Sequence, residues 1–350
     1  MIKPLTSLRF FFALAVFFSH LAFLKNDLKY SRVYDSIFSE GFLGVSFFFI
    51  LSGFILALNY ESKFVEDRVS YKDYILGRIA RIYPMHILTM LFALPLSYKV
   101  FYKYILFHIT LTQSFIPDKD FYFSLNAPSW SISDEMFFYC LLPFLILFFN
   151  KNKHILTMMI ASGILLIFAL NIYLPASDQH YWIYVNPFIR LIDFIIGIAL
   201  YKVYKYFKSL KTPLIRYANH EILSILIFIV FFVFKDKVDI SYRYSIYYFI
   251  PMCLIILCFA LSGDNSKQGL FSKILSNKLL VKGGEISFSF YLWHLLVIPY
   301  FQIVITKMGL NVPAEIQIIL MLFLTIVISY VSFEFIEKYF NTKIKEYFKS

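Results

Sequence analysis

Charged residues are scarce in this sequence. Only 16% of its 350 residues are Asp, Glu, Lys or Arg, and 60% are hydrophobic. A soluble domain carries about a quarter charged residues and fewer than half apolar ones, so an ordinary water-soluble globule is excluded. Cysteine is scarcer still. Cys140, Cys253 and Cys258 all sit in apolar stretches, without metal-ligand spacing or a disulfide framework, and read as packing residues. No Walker loop, GxGxxG, HExxH or clustered Cys/His occurs, which leaves no motif for a nucleotide, a dinucleotide or a metal. Long polar stretches are missing as well, so no appended soluble domain is expected, and with it no nucleotide-binding domain to power a pump.

What the sequence has instead is apolar blocks long enough to cross about 30 Å of hydrocarbon as helices. They lie near 5–24, 42–59, 82–98, 134–150, 154–174, 187–204, 220–234, 244–262, 288–306 and 313–336. The fold class expected is therefore all-α, a polytopic membrane bundle of about ten transmembrane helices forming one domain over 1–350. The stretch 101–116 is too short and too punctuated to add an eleventh span and suits the interface. The first span lacks a small-residue cleavage site and reads as retained. The 43 Phe and 27 Tyr are spread through spans and flanks, as lipid-facing packing and interfacial belts require.

The net charge of +11 raises the question of nucleic acid, but its distribution answers a topological one. With the N-terminus inside, twenty-one of the 33 Lys and Arg fall in inner segments and ten in outer ones, while Arg9 and Arg190 lie within spans. Excess positive charge marks the cytoplasmic side, so both termini are expected there, which ten spans allow. No nucleic-acid partner is implied.

Ionisable residues inside apolar spans are expensive and usually face a protein interior, so they are the informative ones. The first span reads LTSLRFFFALAVFFSHLAFL, with Arg9 and His20 eleven residues apart. Eleven residues make about three helical turns, placing both on nearly one face and about 16 Å apart along the axis. Arg9 then stands near the inner interface, where it serves as a snorkelling anchor or as a cation at the inner mouth. His20 lies past the midplane, a titratable base flanked by Phe. In GFLGVSFFFILSGFILALNY, Ser52 and Gly53 either permit close helix approach or let a narrow ligand arm pass the backbone. In GRIARIYPMHIL, Arg78 and Arg81 are one turn apart and Pro84 fits an early helical position. They serve as positive-inside anchors or as a guanidinium pair suited to phosphate.

In NAPSWSISDEMFFYCLLPF, Ser131 and Asp134 have capping-box spacing, Trp130 suits the interface, and Glu135 falls in a first turn where the helix dipole favours an acid. Arg190 and Asp193, at i and i+3 in NPFIRLIDFIIG, are expected to form a structural intramembrane ion pair. Tyr291 and His294 occupy the early turns of the span at 288–306. Glu334 and Glu337 are accounted for by snorkelling and pairing with Lys338, and the remaining histidines receive no role.

Taken in order, Arg9-x10-His20, GVSFFFILSGF, RIARIYP, WSISDEMFFY, NPFIRLIDFIIG and SFSFYLWH resemble the acyltransferase-3 family of integral membrane O-acyltransferases, along essentially the whole chain. Two departures stand out: Gly77 replaces an Arg common in the family, and Glu337-Lys338 is followed by Tyr339 rather than Pro. The resemblance implies acylation of hydroxyls on lipopolysaccharide, capsule or exopolysaccharide in the bacterial cytoplasmic (inner) membrane. Acetyl-CoA (acyl-CoA) is then the donor substrate, with no tightly bound cofactor and no metal. Carried over by position, His20 and Glu135 are expected to be catalytic. Arg9, Arg78, Arg81, Ser52 and Gly53 are expected at the donor, and Trp130, Ser131, Ser133, Tyr291 and His294 at the acceptor. The competing class is a transporter of a lipid-linked sugar or small anion, which buried Arg, His and Asp would also suit. Against it, no internal repeat of broken helices is evident.

Overall fold

A computed structural model describes residues 2–97, 101–210, 217–263 and 268–347. Lys99, Lys211, Arg216, Lys267 and Lys349 of the charge distribution, and the last residue of the block at 82–98, lie outside the described residues. Within them every regular element is helical. Ten helices have fifteen or more residues: α1 (Lys3–Ser19), α2 (Leu43–Val65), α3 (Tyr71–Ser97), α4 (Ser129–Lys151), α5 (Lys153–Tyr173), α6 (Pro187–Ser209), α7 (Tyr217–Phe234), α8 (Phe249–Gly263), α9 (Lys278–Lys307) and α10 (Ala314–Ser332). Each coincides with one apolar block.

Seven segments of the described chain are long and apolar enough to cross a membrane, or eight if Ala176–Val185 and Pro187–Ser209, bent by 44°, make one span. The two blocks outside that set hold α1, with 17 residues, and α7, with 18. The chain is a multi-pass all-α membrane protein, and ten is an approximate count of its spans. The stretch at 101–116 forms a helix over Phe101–Thr110, whose ten residues are too short to span.

Cap chemistry sets several helix starts. Asn186 Oδ1 accepts from the Phe188 N–H at 3.0 Å, and Pro187 takes the first helical position of α6, where its missing N–H costs nothing. Asn152 Oδ1 does the same for α5, accepting from His154 N–H at 3.1 Å.

The chain divides into two compact units. The first comprises Met1–Phe11, Leu43–Ser70 and Phe137–Glu285. Its centre is the crossing of α2 on α6, made possible by two glycines. A Cβ on Gly53 would lie 2.1 Å from the Phe194 carbonyl oxygen, and one on Gly197 would lie 2.0 Å from that of Ile50. Backbone therefore meets backbone at Gly53, and the room a ligand arm would need there is filled by Phe194 and Gly197. The small-residue packing reading holds for Gly53, and the donor-path reading does not; Ser52 beside it is half-buried. Gly53→Ala is expected to lower stability by about 1–3 kcal/mol, because neither backbone can give way without parting the helices. Thermal unfolding in detergent checks it.

Around that crossing Phe138 stacks on Phe194 at 5.2 Å and meets Phe49 edge-on at 5.1 Å. Arg190, wholly buried, reaches Asp193 at 2.7 Å, donates to Ser46 Oγ at 2.8 Å and to the Tyr244 carbonyl at 2.7 Å. Its guanidinium also lies over the rings of Phe49 and Tyr184, at 5.2 and 5.6 Å.

The second unit comprises Phe12–Phe42, Tyr71–Met136 and Ile286–Ser350. It contains the end of α1, the whole of α3 and α10, and most of α9. A π-helical turn, Phe333–Glu337, joins α10 to a last helix, α11 (Lys338–Tyr347).

Candidate active site

The end of α1 carries the candidate site. Helix α1 stops at Ser19, so His20 is the first residue beyond it rather than a residue buried in mid-span. The His20 N–H turns back to the Phe17 carbonyl at 3.1 Å, a tightened final turn. Among the last carbonyls of a helix, which lack intrahelical partners, that of Val16 is taken by the His20 ring, whose Nδ1 lies 2.8 Å from it. A carbonyl oxygen only accepts, so Nδ1 carries the proton and Nε2 keeps its lone pair. The segment that follows wraps this end of α1. Tyr34 Oη donates to the Ser19 carbonyl at 2.8 Å, Phe18 stacks on Phe38 at 4.7 Å, and a Cβ on Gly41 would lie 1.9 Å from the Ala15 carbonyl oxygen.

His294, on α9, meets His20. Its Nε2 stands 3.2 Å from His20 Nδ1, and the ring centroids are 5.0 Å apart. His294 Nδ1 is 2.5 Å from the Tyr291 carbonyl and donates to it, so Nε2 is the acceptor for the His20 Nδ1–H. The two rings thus form a directed pair. Backbone carbonyls set both tautomers, and the outer member presents a basic Nε2. His294 is wholly buried and His20 only partly so, which makes His20 the more accessible member of the pair.

The residues of the tryptophan-serine-acid motif take different places. Ser131 Oγ donates to the Pro128 carbonyl at 3.0 Å, so the Tyr291 hydroxyl, 2.8 Å away, donates to Ser131. Helix α4 starts at Ser129, three residues before the first helical position that a capping box at Ser131 requires, and Ser131 bonds backwards instead of capping the chain ahead. Ser133 Oγ donates to the Leu111 carbonyl at 2.7 Å and receives the Ser114 hydroxyl, also at 2.7 Å. Leu111 has a left-handed φ of 54°, so this serine ties down a strained corner of the loop before α4. Trp130 is buried within the protein. Ser131 and Ser133 are thus committed to holding loop and helix. Glu135 is half-buried on α4, and both Asp134 and Glu135 are electrostatic neighbours of Tyr291.

The arginines fall elsewhere. Arg78 is half-buried with its guanidinium 5.8 Å from the Tyr74 ring centroid. Arg81 pairs with Glu337 and lies over Phe288 at 5.6 Å. Arg9 is half-buried on α1 in the first unit.

Glu337 is the residue that spacing missed. Glu334 pairs with Lys338 at 2.7 Å, as expected. Glu337 instead turns inward, 1% exposed, onto Arg81 and Ser289, whose Oγ donates to Oε2 at 2.8 Å. In a regular helix residues three apart share a face. The π-helical turn that contains both carboxylates separates them, and no signal in the local sequence announces that turn.

Comparison with known proteins completes the assignment. A family model described as an acyltransferase domain matches residues 3–334. The acyltransferase MdmB of Streptomyces mycarofaciens is 28% identical over 326 residues, covering 85% of this chain and 79% of the relative. A putative acetyltransferase, ORF330 of Acidianus two-tailed virus, is 27% identical over 300 residues, covering 84% of this chain and 82% of its own length. The peptidoglycan O-acetyltransferase OatA of Listeria monocytogenes is 26% identical over 326 residues, covering 85% of this chain but 51% of OatA, about half that protein. No solved structure matches. The chain belongs to the acyltransferase-3 family and is a multi-pass membrane O-acyltransferase.

Proposed function

We propose that the enzyme moves an acetyl group from acetyl-CoA to a hydroxyl of a surface or lipid-linked glycan, with His20 as general base. The observation that supports this reading is the fixed tautomer of His20. Its Nδ1–H is held by Val16 and His294, so Nε2 is the nitrogen able to take a proton. In the transfer the glycan hydroxyl gives its proton to Nε2 as its oxygen attacks the thioester carbonyl. The C–S bond then breaks, and the imidazolium returns the proton to the departing CoA sulfur. The His294 Nε2 lone pair and the Val16 carbonyl face the Nδ1–H, where the charge of the imidazolium is shared. In a Ser-His-Asp triad a carboxylate fills that place. Direct transfer needs no nucleophilic residue, and the Ser131 hydroxyl is already committed to Pro128.

Donor recognition falls to cations near the cytoplasmic ends of the helices. Guanidinium groups suit the CoA phosphates, which favours Arg78 and Arg81, and Arg9 is a separate candidate for the same charge. Both termini are kept in the cytoplasm of a bacterial inner membrane, on the distribution of Lys and Arg. The acceptor class follows the name of OatA, a peptidoglycan enzyme, and widens to lipopolysaccharide, capsule or exopolysaccharide. Glu135 orients His20 or binds the sugar in this scheme. Tyr291 and His294 stand behind Ser131 and His20 on the acceptor side in this scheme.

NMR of surface polysaccharide from cells with and without the protein tests the reading. Acetylation shifts the ring proton on the modified carbon. Loss of that shifted signal when the protein is absent is expected, and identical spectra would contradict it.

A further inference from the structure

We propose that Glu337 is a positioning residue for the acyl-CoA donor, acting through Arg81; this rests on the donor-side reading of Arg81 above. The carboxylate is buried and both of its oxygens are used. Oε1 receives Arg81 and Oε2 receives the Ser289 hydroxyl at 2.8 Å. Arg81 pairs with the buried carboxylate yet keeps 27% of its side chain exposed, so the pairing does not seal the arginine inside. A guanidinium carries five N–H donors in a rigid fork, and fixing one corner aims the remainder. Phe288 underlies the group at 5.6 Å and limits its tilt. Ser289, on α9, and Glu337, in the π-helical turn, thus fix a side chain of α3 from two other elements.

The arrangement is more specific than an anchoring pair requires. An anchor at a membrane surface pairs with lipid headgroups or an exposed partner, as Lys338 does with Glu334, whose side chains are 49% and 24% exposed. Burying a carboxylate beneath an arginine costs desolvation, which a preset orientation for a multiply charged ligand offsets. Two functions of Glu337 have opposite consequences. A carboxylate that merely neutralises Arg81 weakens anion binding, and its removal tightens the donor. A carboxylate that aims Arg81 strengthens binding, and its removal loosens the donor.

The test is CoA binding to the purified full chain in nanodiscs, measured by calorimetry for the wild type and for Arg81→Ala, Glu337→Gln, Glu337→Asp and Ser289→Ala. Glu337→Gln is expected to raise the Kd about tenfold, the scale of one hydrogen bond to a charged group. Glu337→Asp, which keeps the charge on a shorter arm, is expected to recover part of that loss. Ser289→Ala is expected to move the Kd in the same sense by less, and it decides the matter if the Glu337 variants do not fold. A Kd per folded molecule does not register loss of folded protein, and partial recovery by Glu337→Asp marks the charge and its placement rather than a general loosening. If Arg81→Ala leaves the Kd unchanged, the donor-side reading of Arg81 fails. If Arg81→Ala weakens binding while loss of the Glu337 or Ser289 contact leaves it unchanged or tightens it, the positioning role is overturned and the donor site stands.

Discussion

Acyl transfer by a His20→Ala enzyme is expected to fall about 10²–10⁴-fold, the contribution of a positioned general base. The size of the loss follows from the local geometry. His20 is the side chain whose Nδ1–H meets both a terminal carbonyl of α1 and the buried ring of His294. Alanine removes the proton acceptor, while the Val16 carbonyl keeps the Ser19 hydroxyl, which donates to it at 2.7 Å, so the end of α1 is expected to hold. CoA binding is expected to survive, because the cations assigned to the donor do not depend on this ring. Initial rates with saturating acetyl-CoA separate the two effects: kcat falls while the Kd for CoA holds. Replacement of His294 by Ala is expected to cost less, since Val16 alone still fixes the tautomer of His20. Equal losses for the two histidines would mean that the pair acts as a unit and that Val16 alone does not fix the tautomer of His20.

The largest stability effect is expected at Asp193. Its carboxylate is 1% exposed and faces an arginine that is wholly buried. Removing one member of such a pair leaves an uncompensated buried charge, at a cost of about 3–5 kcal/mol. Asp193→Ala is therefore expected to lower the unfolding temperature sharply or to prevent accumulation of folded protein. Arg190 would retain Ser46, the Tyr244 carbonyl and two aromatic faces, which is why the loss is bounded. The double replacement Arg190→Met with Asp193→Leu removes both charges together and is expected to recover most of the stability. Thermal unfolding of the purified variants in detergent is the measurement. A double variant no more stable than Asp193→Ala would show that the hydrogen bonds of Arg190, and not charge balance, carry the energy.

The helices were legible because a membrane helix must satisfy its backbone internally and cover itself with apolar side chains, so its signature is local. Every apolar block in the sequence holds one long helix, and Asn186-Pro187 announces the start of α6. Pairing across elements was not local and was only partly legible. Arg190 and Asp193 lie one turn apart on a single helix, so spacing alone brings them together. Glu337 finds its partners on α3 and α9, which spacing within its own segment does not encode. The same limit applies to Gly53. A small residue allows either a ligand or another helix to approach, and only the position of Gly197 decides for the helix. Ser131 and Ser133 carry the same lesson, since the hydroxyls that mark the family motif are committed to Pro128 and Leu111. His20 stood out in the sequence because a histidine among phenylalanines needs an explanation, and general-base chemistry is the role proposed for it. Its tautomer was not readable, because that depends on where α1 stops.

The most direct measurement follows labelled acetyl from acetyl-CoA supplied on the cytoplasmic side of inverted membrane vesicles containing the protein and its glycan. Alkali-labile label on the glycan with the wild type, and its loss with His20→Ala while CoA still binds, is the expected result. Label transferred by His20→Ala at the wild-type rate, or a wild-type protein that neither binds CoA nor labels any glycan, would contradict it.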